Sequence, residues 1–120
     1  MHYIANILIA CVALLHIAFM VLEMFLWNKP QGRKIFGLTA EFAERSATLA
    51  ANQGLYNGFL AAGLIWSLTA AKAAFELKIF FLSCVIIAGI YGAMTVKRSI
   101  FWIQGFPAIL ALASLMLSGQ

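Results

Sequence analysis

Glu23 is the only carboxylate inside the four long apolar runs of this 120-residue chain, and His16 stands seven residues before it. Seven steps of about 100° come to roughly two turns, so a helix places both side chains on one face, with Met20 between them. An ionisable group in hydrocarbon costs on the order of 2.5–3.5 kcal/mol at a helix centre and less near an interface, which marks Glu23 as a candidate site. Such a pair can anchor a polar ligand group or carry a proton. Two residues do not make a metal site, so neither a metal nor a cofactor is expected. A partner carboxylate for acid/base hydrolysis, a serine or cysteine at suggestive spacing from a histidine, and a phosphate-cradling glycine loop are all missing from the motifs.

Amides and phenols fall at matching depth. The second run opens with Asn52, Gln53, Tyr56 and Asn57, where Gln53 and Asn57 are four apart, as are Asn52 and Tyr56. Tyr91 lies near the end of the third run and Gln104 near the start of the fourth. In apolar surroundings such groups seek one another, and each interhelical hydrogen bond supplies on the order of 0.6–2 kcal/mol. One polar cluster in one half of the bilayer is the expectation.

The elements that would hold this cluster follow from composition. Hydrophobic residues make up 64% of the chain and charged residues 10%, too apolar for the surface of a soluble domain. The runs span 3–27, 53–71, 77–96 and 100–117, each near the roughly 20 residues a helix needs to cross a bilayer. They are continuous rather than alternating, which excludes a β-barrel. The expected fold is an all-α, up-down-up-down bundle of four transmembrane helices in one domain, 1–120. Only Lys97-Arg98-Ser99 divides the last two. The first run has no basic n-region and is too long for a secretory signal, so it is expected to be retained. Cys11 and Cys84 fall in spans and read as small buried packing residues.

Basic residues set the orientation. Lys29, Arg33, Lys34 and Arg45 occupy the first connection and Lys97 and Arg98 the third, against Lys72 and Lys78 on the other side. The positive-inside rule then puts both termini on the non-cytoplasmic side of a bacterial cytoplasmic (inner) membrane. The net charge of +4 reads as affinity for lipid headgroups rather than nucleic acid. In the first connection, Pro30 and Gly32 read as helix stop and turn, and Thr39 as an N-cap with Glu41 in the first turn. Residues 40–51 form either a short interfacial helix bending at Gly54 or a solvated connector.

Two small-residue ridges, Gly54-Gly58-Ala62 and Gly89-Ala93, would let helices approach closely and make a homo-oligomer plausible. Pro107 would leave the carbonyl of Ile103 unpartnered, unless it is an ordinary first-turn proline.

The stretches Leu22-Glu23-Met24-Phe25-Leu26-Trp27, Gly32-Arg33-Lys34-Ile35-Phe36-Gly37-Leu38 and Ala51-Asn52-Gln53-Gly54-Leu55-Tyr56-Asn57-Gly58-Phe59 resemble the bacterial family catalogued as domain of unknown function 1304. Ala88-Gly89-Ile90-Tyr91-Gly92 and Gln104-Gly105-Phe106-Pro107-Ala108 are similar to it too. The resemblance implies a small four-helix membrane protein and brings no activity with it. A likeness to small multidrug resistance transporters is architectural only, because Glu23 sits closer to its helix end than the transporter carboxylate and the first loop is foreign to that plan. The leading expectation is a non-enzymatic protein that binds a small amphipathic or lipid-like molecule, with Glu23 as anchor and His16, Asn52, Gln53, Tyr56, Asn57, Tyr91 and Gln104 around it. Proton-coupled export, an isomerase using Glu23 and His16, and a structural partner subunit are the alternatives.

Overall fold

Buried positions recur every three or four residues along helices that are apolar on almost every side. In the computed structural model, which describes residues 2–118, the order is α1 His2–Phe25, α2 Pro30–Phe36, α3 Ala40–Thr69, α4 Ala74–Thr95, a π-helical turn Phe101–Gly105, and α5 Phe106–Ser118. No strand occurs among the described residues. On α1 the covered stripe is Ala5, Ile9, Val12, His16 and Glu23; on α4 it is Lys78, Leu82, Val85 and Gly89; on α5 it is Ala108, Ala111 and Leu115. These spacings of three, four and seven are the helical period, selected by packing rather than by hydropathy.

Three helical segments are long and apolar enough to cross a membrane: Tyr3–Phe25, Ala74–Thr95 and Phe101–Ser118. The expected crossing at 53–71 is not among them, because Gln53, Tyr56 and Asn57 dilute its apolar residues. Its helix also begins much earlier. Residues 40–51 are neither a separate interfacial helix nor a connector but the first turns of α3, which runs through Gly54 without a break. The helix starts as expected at Thr39, whose Oγ1 accepts from the Phe42 N–H at 3.1 Å.

The ordered piece of the first connection is α2. Pro30 stands in its first turn, where a missing N–H costs nothing, and so starts a helix besides ending one. Gly37 closes it in the left-handed conformation, φ 67°, with its own N–H and that of Leu38 both donating to the Arg33 carbonyl. Gly32 is buried, and a Cβ there would overlap the Leu26 carbonyl.

The chain forms two compact units, Leu14–Ala61 and the residues before and after that segment. Within the second, a Cβ on Gly89 would stand 2.7 Å from the Gly105 backbone, so the expected glycine ridge on α4 is used for a backbone-to-backbone crossing. Pro107 is the second residue of α5, directly after the π-turn in which the Phe106 N–H reaches the Phe101 carbonyl. It is thus the seventh residue of the continuous helical segment Phe101–Ser118, set just behind the π-turn rather than at a free helix start. Cys84 is half-buried as a packing residue, but Cys11 is exposed, contrary to expectation: its helix is apolar enough to leave a small thiol on an outer face.

Candidate functional site

The first unit holds the second half of α1, α2 and α3 as far as Ala61. Glu23 is 6% exposed and stands in the last turn of α1. Its carboxylate is clamped from α3. Gln53 Nε2 donates to Oε2 at 2.8 Å and Asn57 Nδ2 to Oε1 at 2.5 Å. Four residues on a helix make one turn, so the two amides rise one above the other and meet one oxygen each. Gly54 makes the approach possible: a Cβ there would stand 2.7 Å from Met24 Cγ and 3.0 Å from Glu23 Cβ. One turn on, Gly58 faces the Met20 sulfur in the same way.

Both donors are neutral. Among the described residues no lysine or arginine pairs with Glu23; the ion pair present is the exposed Arg45–Glu41, 3.8 Å apart on α3. Each carboxylate oxygen has further acceptor capacity beyond one amide N–H. An open cleft of about 210 Å³ lies beside it, lined by Glu23, Phe25, Trp27, Asn28, Lys29 and Ala47 among others. One wall is fixed by Trp27, whose Nε1 donates to Ser46 Oγ at 2.9 Å and whose ring lies 4.9 Å from that of Phe36. The tie of Trp27 to Ser46 is not legible in the sequence at a separation of 19 residues.

His16 is fully buried on the face it shares with Glu23, edge-on to Phe19 with ring centroids 5.5 Å apart. Asn52 and Tyr56 are exposed, and Tyr56 meets the Phe59 ring at 5.5 Å. The i, i+4 pair that reaches Glu23 is thus Gln53 with Asn57, not Asn52 with Tyr56. Tyr91 and Gln104 belong to the other unit, where Tyr91 is 69% exposed and Gln104 half-buried. Hydrogen bonds to the carboxylate bring Gln53 and Asn57, of the eight candidates, together with Glu23.

That second unit carries a polar pair which the sequence did not single out. Lys78 Nζ donates to Asn6 Oδ1 at 2.8 Å, and Lys78 is 6% exposed. Ser67, also buried, donates to the Leu64 carbonyl. Among the described residues no buried side-chain nitrogen or oxygen lacks a partner, and no group of three histidine, cysteine, aspartate or glutamate residues could hold a metal.

Comparison with known proteins agrees with the sequence resemblance. Residues 10–116 match the family described as a protein of unknown function (DUF1304). The chain is similar to the uncharacterized protein YpaA of Lactococcus lactis subsp. lactis (strain IL1403), 37% identical over 110 residues, covering 90% of this chain and 92% of that protein. No solved structure matches.

Proposed function

The chain belongs to the DUF1304 family of proteins of unknown function, and we propose that it is a multi-pass membrane protein that binds a small amphipathic or lipid-like molecule at Glu23. Membrane residence is supported by how little the helices cover one another. Only 22–28% of each candidate span is buried, and Ile7, Leu14, Phe80, Ile87 and Leu117 are all more than 60% exposed. In water that surface would be an aggregation liability; in lipid it is the normal outer face. We take α3 as the fourth crossing. Hydropathy charges Gln53 and Asn57 as lone polar groups, whereas their bonds to Glu23 remove most of that penalty. The bacterial cytoplasmic membrane, with α2 and the start of α3 inside and both termini outside, fits the basic residues.

The observation that carries the binding site is a buried carboxylate, held by two neutral donors, opening onto a cleft. A purely structural clamp has no need of that opening. At about 210 Å³ the cleft is smaller than the roughly 300–1,000 Å³ of drug-sized sites, so it takes the polar end of a molecule whose apolar part stays in the bilayer. The test compares thermal unfolding of purified wild type and Glu23→Gln with a series of lipids and hydrophobic cations. Wild type is expected to be stabilised by a subset that leaves Glu23→Gln unmoved. If no compound separates the two proteins, the site is not a binding site.

A further inference from the structure

We infer that the polar end recognised at Glu23 is zwitterionic, a primary ammonium next to a phosphate. The inference rests on the binding reading above and names its ligand chemistry. Among the described residues no lysine or arginine lies within ion-pair distance of Glu23, and both of its donors are neutral amides. A buried charge is tolerated when it is paired as well as hydrogen-bonded. A primary ammonium brings three N–H donors and a positive charge, and the unused acceptor capacity of the carboxylate receives them.

The same cleft presents the opposite charge. Lys29 lines it and is exposed, an ammonium suited to a phosphate as a point charge. Glu23 is buried and Lys29 exposed, so a guest's amine would lie on the covered side of the cleft and its phosphate on the open side. Phe25, 62% exposed, also lines the cleft and offers an apolar surface to an acyl chain. A quaternary ammonium fits poorly, because it has no N–H to donate and is held instead by cages of aromatic faces. Here the Trp27 ring is already packed against Phe36.

Amine and phosphate together occur in a lipid headgroup, phosphatidylethanolamine, and in free phosphoethanolamine. Full-length protein in detergent is heated with equal mole fractions of phosphatidylethanolamine, phosphatidylcholine or phosphatidylglycerol, and separately with millimolar phosphoethanolamine. The ethanolamine lipid is expected to raise the unfolding temperature by several degrees more than the other two. Lys29→Ala should reduce that advantage while the response to hydrophobic cations persists, and Glu23→Gln should abolish both. A shift with phosphoethanolamine as large as with the lipid assigns the same chemistry to a soluble source. Equal shifts with all three lipids overturn the inference, even where hydrophobic cations still separate wild type from Glu23→Gln and the broader reading survives. Should Glu23→Gln fail to fold, the lipid series on wild type and on Lys29→Ala decides alone.

Discussion

A hydrogen bond to a charged group costs most when one side of it is deleted, because the other is left buried without a partner. Asn57, 8% exposed, and Gln53, exposed, therefore differ although both donate to Glu23. Asn57→Ala is expected to lower stability by about 1–3 kcal/mol, and Gln53→Ala by less, since water or a headgroup can replace an exposed donor. Thermal and denaturant unfolding of both variants in one detergent would check the order, and a Glu23/Asn57 double-mutant cycle would isolate the bond itself. Equal losses from the two variants would contradict the burial difference. The clamp was legible in the sequence because a lone acid and an i, i+4 amide pair meet at one depth. Lys78 and Asn6 were not, since a lysine one turn into a helix reads as a cation reaching for the interface, and its partner is 72 residues away.

At the scale of elements, the glycines divide by what they face. A Cβ on Gly89 meets the Gly105 Cα and N at 2.7 Å, whereas one on Gly58 meets the flexible end of Met20 at the same distance. A thioether can swing aside and a helix backbone cannot. Gly89→Ala is expected to destabilise by about 1–3 kcal/mol, the range for overpacking, and Gly58→Ala by clearly less. Unfolding temperatures measured side by side decide it; a larger loss at Gly58 would mean that Met20 is the rigid partner. Both ridges can be read from small-residue spacing, but Ala62 is exposed, so the first ridge ends at Gly58. The boundaries at 3–27 and 77–96 came out within three residues of α1 and α4. The start of α3 lies well before residue 53, because polarity changes between Ala40 and Gln53 while nothing there breaks a helix.

For the whole molecule, topology turns on α3. Its 30 residues extend about 45 Å at 1.5 Å per residue, more than the roughly 30 Å of hydrocarbon, so the polar turns from Ala40 project beyond the membrane if its apolar end crosses. Lys34 precedes α3 and Lys72 follows it, and both are exposed. If α3 crosses, they lie on opposite sides; if only the three strongly apolar segments cross, they share one. Single cysteines at Lys34→Cys, Lys72→Cys and Lys97→Cys, in a chain also carrying Cys11→Ala and Cys84→Ala, separate the cases with a membrane-impermeant thiol reagent. In intact cells Lys72→Cys is expected to label, and Lys34→Cys and Lys97→Cys only after permeabilisation. Labelling of Lys34→Cys and Lys72→Cys from the same side would remove α3 from the membrane. Gln53, Asn57 and the carboxylate they hold would then meet water at the headgroups, where two amides on an acid need no ligand to explain them.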